Sequence, residues 1–497
     1  MDFKKYSIWL IVIFIIVLAI RLSFAFQTPY FSDDSSYFVL RQVEHITKTG
    51  LPLYNDTLSY SGRTLFFSPF FHYLLAFFNL FLPITLVGKL IPNILASLVV
   101  FAAYFVTLEI TKQKRASIMA AIAAGFLPIF FRETVNSVSV FSLIVPLLLA
   151  IIYVLLKLEV HKKYLIFLII FMTMFIITDR ISFVLILGFI FFFFLSKTED
   201  LSQNKSELEI ILFSCFLYFW LNFVMFKNAF LLYGSAMVWQ NIPVTLLSNY
   251  FSQISIIEAI YAIGIIPFAL GLFVIYDFMF KRKSRAIYLL ISITLSSFIL
   301  LWFRVIPLVD GLILMGIMLV LLFGQYMKLF IVYVSKSKFS KRINLISALV
   351  IILICLTSLV PSVIYANNAV KSVPSKEEID AFLLLRSKTK TDSVVLTSIN
   401  EGHLITYFSE RKNVIDSNYL LIENIDQRVK DIETIYKTIY KVEAVRLLNK
   451  YKINYIYLSD DTKDFYSIQD LAYATDDCFV LLYNGTIKIY ESICEVE

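Results

Sequence analysis

Long apolar runs separated by short basic clusters fill the chain up to about residue 366, and shorter mixed runs fill the rest. A helix needs roughly 20 apolar residues to cross the hydrocarbon layer. Runs of that kind fall near 6–26, 88–111, 116–131, 139–157, 164–178, 181–196, 208–226, 253–278, 286–303, 306–327 and 343–365. The pattern predicts an α-helical polytopic membrane protein of about 11 spans with juxtamembrane helices. The first span is expected to be uncleaved, because it runs on through Arg21 to Phe26 without a small-residue cleavage site. Segment 66–83 is apolar as well, but counting it as a span would put Lys112, Lys114 and Arg115 outside. It is therefore expected to be juxtamembrane or re-entrant.

With that count Lys4, Lys5, Lys112, Lys114, Arg115, Lys157, Lys162, Lys163, Lys197, Lys205, Lys281–Arg285 and Lys336–Arg342 share one face. The positive-inside rule makes that face cytoplasmic. The reading is a multi-pass plasma-membrane protein with a cytoplasmic amino terminus. The first outer loop (27–87), Arg132, the loop 227–252, Arg304 and everything after 366 then lie outside.

Two regions follow: a transmembrane module over 1–366 and an extracytoplasmic soluble α/β domain over 367–497, roughly 130 residues and so large enough for its own core. In the tail, helix-like segments (376–387, 422–450) alternate with β-rich runs at Val394–Leu396, Ile453–Tyr457 and Phe479–Leu482. Cys478 and Cys494 flank a hairpin turning at Asn484-Gly485, and their pairing is left open.

Composition narrows the class. The chain is 59% hydrophobic and 16% charged, against an apolar share of about 45–50% in soluble domains. Its net charge of +7 sits in the topology-setting clusters, so no nucleic-acid partner is expected.

The chemistry-bearing residues gather in the first outer loop. Carboxylates are costly near hydrocarbon and are kept there for chemistry or ion handling, and Asp33-Asp34 opens Phe31-Ser-Asp-Asp-Ser-Ser-Tyr37. Arg63 and His72 follow. The sequence has neither a phosphate-cradling P-loop nor a GxGxxG turn. A group transferred on this face therefore has to come from a donor that partitions into the membrane, and a polyprenyl-phosphate sugar fits. Such a transfer needs a carboxylate to take the acceptor's proton and a cation for the leaving phosphate.

Asp33-Asp34-Ser-Ser-Tyr37, Arg41, Gly50-Leu-Pro52, Tyr60-Ser-Gly-Arg63 and Ser68-Pro-Phe-Phe-His-Tyr-Leu-Leu75 together resemble the first outer loop of GT-C glycosyltransferases. That family includes protein O-mannosyltransferases, aminoarabinose transferases and oligosaccharyltransferase catalytic subunits. The likeness continues through Leu127-Pro-Ile-Phe-Phe-Arg132, Phe303-Arg304-Val-Ile-Pro307 and the tail segment Val394–Arg411. It implies an inverting transferase that moves a sugar from a lipid-linked donor to an acceptor protein, lipid or glycan.

The family's acid three positions before a tyrosine selects Asp34, with Tyr37, over Asp33 as the catalytic residue. Arg304, Arg63 and Arg132 are the candidates for the donor phosphate, and Tyr37, His72, Tyr233 and His403 for substrate contact. A divalent metal is left open, with Asp34 and Glu133 its candidate ligands, because the family's second acidic pair is replaced here by Arg132-Glu-Thr-Val-Asn-Ser-Val-Ser139. The tryptophan-rich acceptor motif is replaced by Ser398-Ile-Asn-Glu-Gly402, which argues for a monosaccharide donor.

Each of these residues also has an ordinary explanation. Asp34 can be the N-cap of a helix beginning at Ser35, Arg304 a snorkelling anchor and His72 a core histidine. Asp179-Arg180 reads as a local ion pair, Asp310 as a partner of Arg304, and Tyr233, Trp239 and Tyr250 as an interfacial aromatic belt. A catalytically silent lipid-sugar-binding or scaffold relative, or a transporter with Asp179, Arg180, Arg304 and Asp310 as a relay, are the rival functions.

Overall fold

A computed structural model describes residues 2–158, 161, 163–199, 201, 205–239, 241–247, 255–474 and 478–494. Lys162, Tyr250 and the start of the 253–278 run lie outside the described residues. The chain forms two compact units, one of 1–29, 68–227 and 250–371, the other of 30–67, 228–249 and 372–497. The first outer loop is thus divided: its segment 30–67 belongs with the tail.

The first unit is helical. Among the described residues, eight helices are long and apolar enough to cross a membrane, or ten if each of two bent pairs is one span. They include Tyr6–Ala25, Ile84–Thr111, Phe141–Leu158, Arg285–Trp302 and Leu308–Lys336. The bent pairs are Lys114–Gly125 with Pro128–Thr134, at 44°, and Ile256–Ile263 with Ile265–Phe280, at 95°. The sharper bend turns on Gly264, whose φ of 94° suits a residue without Cβ. The remaining expected span, 164–178, is a helix of 15 residues, Tyr164–Thr178, short of the roughly 20 that a full crossing takes. Segment 66–83 contains the 10-residue helix Phe70–Asn79, also too short to span. Large apolar side chains such as Ile8, Trp9, Phe216, Phe219 and Phe223 point outward, as lipid-facing residues do.

The Pro128–Thr134 half of the first bent pair is tied down by polar groups. Arg21 is fully buried. It donates to Thr134 Oγ1 at 2.8 Å and lies 4.3 Å from the Phe131 ring centroid. Ser362 Oγ donates to Phe126 O at the break, and Lys89 Nζ to Asn136 Oδ1. A buried cation in a membrane helix is costly unless paired or stacked. These bonds fix the segment that presents Arg132 and Glu133.

In the second unit, β1 (Asn55–Asp56) pairs antiparallel with β2 (Arg63–Thr64). The tail builds a five-stranded sheet from β3 (Val394–Leu396), β4 (Lys412–Asn413), β5 (Tyr455–Leu458), β6 (Phe479–Asn484) and β7 (Lys488–Ser492), in the order β4-β3-β5-β7-β6. β3 is parallel to β4 and β5, while β5–β7 and β6–β7 are antiparallel. Helix Lys376–Lys388 opens with a capping box from Ser375 and Glu378. The helical stretch expected over 422–450 is two helices, Ile425–Lys437 and Lys441–Lys450.

Cys478 and Cys494 are bonded, with Cα atoms 5.0 Å apart and a sequence separation of 16. Closing a loop of that length stabilises by about 3 kcal/mol. Reduction, or Cys494→Ser, should therefore lower the tail's unfolding transition in a denaturant titration by that order.

Candidate active site

The helix Asp34–Thr49 begins on Asp33, not on Asp34. Asp33 is the N-cap, in extended backbone, with its carboxylate accepting from Ser36 N at 2.9 Å and Ser36 Oγ at 2.7 Å. The capping role that the sequence left open for Asp34 is taken by its neighbour. Asp34 is the first helical residue and is free to turn elsewhere.

It turns to the tail. Asp34 Oδ1 accepts from Leu404 N at 2.8 Å and His403 N at 3.0 Å, and Oδ2 accepts from His403 N at 3.1 Å. Both donors open the helical segment that follows Glu401-Gly402, where unsatisfied amides favour an anion. Desolvation raises the Asp34 pKa well above the ordinary carboxylate value, assisted by the nearby charges of Asp416 and Glu401, while the two amide bonds pull it down by less. The residue stays half-buried.

Gly402 makes this approach possible. A Cβ there would stand 2.3 Å from Ile415 O, and Asn413 Nδ2 donates to Gly402 O at 2.8 Å.

Behind Asp34 lies a polar cluster centred on Asp416, which is fully buried. Asp416 accepts from Ser59 Oγ at 2.6 Å, Asn413 Nδ2 at 3.1 Å and Asn418 N at 3.0 Å. Arg63 NH1 lies 3.8 Å from its carboxylate and His403 Nε2 3.9 Å. Burial alone would raise the Asp416 pKa, but His403, Arg63 and these hydrogen bonds outweigh it and hold it below the usual range.

Arg63 also donates to the carbonyls of Asn418 and Leu420 and stacks on Tyr60, which Arg428 flanks as well. Two of its nitrogens therefore hold loop 413–422, while Nε makes no hydrogen bond among the described residues.

Tyr37 is likewise a core residue. It is 2% exposed, packs on Tyr407 and Phe408 and shares a hydrogen bond between its hydroxyl and Phe31 N. His403 is buried against Phe38, with Nε2 3.3 Å from Ser417 Oγ. Desolvation lowers its pKa, so the ring is neutral near pH 7. Tyr233 is half-exposed and within electrostatic reach of Glu423 and Arg63. It adjoins an open pocket of about 350 Å³ lined by Tyr60, Arg63, Thr64, Leu232, Glu423 and Arg428 among others.

In the helical unit, Arg304 is exposed in the turn between Arg285–Trp302 and Leu308–Lys336, with φ +56°. A non-glycine residue in this region is a strained exception that clusters at functional sites. Arg132 is exposed, 5.7 Å from the Tyr365 ring. Glu133 accepts from Ser139 Oγ at 3.2 Å. Asp310 opens Leu308–Lys336, and the charges acting on it are Glu133 and Asp179, in place of the expected pairing with Arg304. Asp179 caps the turn Arg180–Ser182 through Ile181 N at 2.8 Å, while Arg180 stacks on Phe226. His72 is buried and anchored by the Ser68 backbone, a core histidine.

Among the described residues no group of three or more His, Cys, Asp or Glu side chains is arranged to hold a metal. No step is routed through a metal.

No protein-family model and no curated protein matches the sequence. Solved structures do. The archaeal oligosaccharyltransferase AglB from Archaeoglobus fulgidus, in complex with an inhibitory peptide and a dolichol-phosphate, superposes with a TM-score of 0.70 at 15% identity, over 93% of this chain and 71% of its own. The Archaeoglobus fulgidus oligosaccharyltransferase with Zn and sulfate gives 0.64 at 16%, over 90% and 67%. ArnT from Cupriavidus metallidurans bound to undecaprenyl phosphate gives 0.57 at 10%, over 98% of both chains. The chain has the fold of these GT-C membrane glycosyltransferases, and at these identities the likeness is one of fold.

Proposed function

We propose that the protein is an inverting glycosyltransferase that moves a sugar from a polyprenyl-phosphate-linked donor to an acceptor hydroxyl or amide on the outer face of the membrane, with an extracytoplasmic tail and a cytoplasmic amino terminus. The observation that carries this reading is Asp34: a half-buried carboxylate oriented by two backbone amides, with a pKa raised by desolvation above the ordinary carboxylate range. A base of that kind takes the acceptor's proton as the acceptor oxygen or nitrogen bonds to the anomeric carbon. The bond from that carbon to the carrier phosphate breaks, and the phosphate leaves with the electron pair. The AglB and ArnT structures with dolichol-phosphate and undecaprenyl phosphate support a lipid-phosphate donor.

The test is turnover of a panel of lipid-linked monosaccharides by the purified full-length protein, with and without chelator. Ionised Asp34 is the active form, so turnover should rise with pH through its raised pKa and level off above it. A profile that Asp34→Asn leaves unchanged in shape would count against Asp34 as base.

Arg304 is the leading residue for the donor phosphate, with Arg132 second. A charge-assisted bond contributes about 1.5–3 kcal/mol, so Arg304→Gln should raise the donor KM about tenfold or more while leaving acceptor KM unchanged.

One observation favours a silent, sugar-binding relative: both Asp34 oxygens already carry hydrogen bonds. Donor binding without any turnover across the panel would establish that reading instead.

A further inference from the structure

We propose that Asn484 is an acceptor for asparagine-linked glycosylation, so that the last hairpin of the tail carries a glycan at its tip. The inference rests on the reading that the tail is extracytoplasmic. Asn484-Gly485-Thr486 has the N-x-T form, in which the side-chain amide is the nucleophile and the hydroxyl two residues on is what the modifying enzyme reads.

Geometry favours this position. Asn484 ends β6, the edge strand of the sheet, and Asn484, Gly485 and Thr486 are all exposed. Among the described residues the Asn484 carboxamide makes no hydrogen bond, so its nitrogen is available. A group attached there displaces no core residue. The Cys478–Cys494 bond beneath the hairpin belongs with an oxidising compartment.

Asn-Gly is also the ordinary composition of a tight hairpin, and a Cβ at 485 would meet the Glu377 carboxylate, the far end of a side chain that can swing aside. The turn does not by itself require threonine at 486. That hydroxyl donates to Glu377 Oε2 at 2.7 Å, and Thr486 N donates to Oε1 at 2.9 Å. Glu377 therefore competes with the enzyme for the hydroxyl.

The other described N-x-T, Asn55-Asp56-Thr57, is more confined. Asn55 is tied into β1, and Asp56 is buried and held by Arg41 at 2.8 Å. A third, Asn204-Lys-Ser206, falls in the basic stretch assigned to the cytoplasmic face and serves as an internal negative control.

The donor is a lipid-phosphate- or lipid-diphosphate-linked glycan, supplied to a separate asparagine-modifying transferase of the same membrane. Asn484 Nδ2 bonds to the anomeric carbon, the bond from that carbon to the carrier's phosphate oxygen breaks, and the amide gives up one proton as the phosphate leaves.

The test is peptide mass spectrometry of the full-length protein purified from its native membrane. A glycan mass is expected on the peptide containing 484. It should be lost in Asn484→Gln, kept in Thr486→Ser and raised in occupancy by Glu377→Gln. In parallel, Lys388→Cys, exposed on its helix, is labelled in intact cells with a membrane-impermeant maleimide, the parent protein serving as blank. Labelling at 388 with an unmodified Asn484 overturns the proposal and leaves the orientation standing. Absence of labelling, or a glycan at Asn204, overturns the orientation and the proposal with it.

Discussion

Asp34→Asn should fold as the parent does and lose about 100-fold or more in turnover, the usual contribution of a positioned general base. The structure separates the two effects. An amide oxygen at position 34 can accept the two N–H donors that Oδ1 already accepts, at 2.8 and 3.0 Å, so the tie to His403 and Leu404 survives. What is lost is the ability to take a proton.

The stability consequence has a definite sign. A carboxyl whose folded pKa is raised stabilises the folded state fully below its unfolded pKa and loses that contribution as pH rises through the folded value. Above the unfolded pKa the parent therefore bears a desolvation cost on its carboxyl that asparagine does not, and Asp34→Asn should melt at the same temperature or slightly higher there. Asp34→Ala should behave differently. It leaves two amides without a partner, at about 1–3 kcal/mol each, and should lose both turnover and melting temperature. Parent-like turnover by Asp34→Asn in the lipid-linked sugar assay would remove Asp34 from the chemistry.

The helical unit was largely legible in the sequence, because a span is a local property: 20 or so apolar residues in a row announce themselves wherever they pack. The same holds for β3, which lies over the run Val394–Leu396, and for the turn at Asn484-Gly485. The site was less legible. Choosing Asp33 over Asp34 as the cap depends on which carboxylate reaches Ser36 N, and adjacent aspartates look alike in sequence. Asp416 was missed altogether. It follows a two-residue apolar run and acquires its role only because Ser59, Arg63 and His403, up to 357 positions away, surround it. A cation in an outer loop such as Arg63 is ambiguous until its acceptors are known, and two of these are carbonyls of the tail. Tyr37 and His403 show the same dependence on tertiary packing, since their burial follows from partners distant in the chain.

Gly402→Ala should be among the most damaging single-methyl changes in the tail. The added Cβ would sit 2.3 Å from Ile415 O and 2.6 Å from Asp416 Cβ, well inside contact distance, and the first of these obstacles is backbone that cannot rotate away. Relief requires the turn at 401–404 to move off the 413–416 segment, which stretches the bond from Asn413 Nδ2 to Gly402 O and draws the His403 and Leu404 amides away from Asp34. Overpacking of this kind costs about 3 kcal/mol, and the loss falls on the element that orients the carboxylate. Gly402→Ala should therefore lower both the unfolding midpoint and turnover, whereas Asp34→Asn lowers turnover alone. A Gly402→Ala protein with parent-like stability and rate would mean that the amide pair does not set the orientation of Asp34.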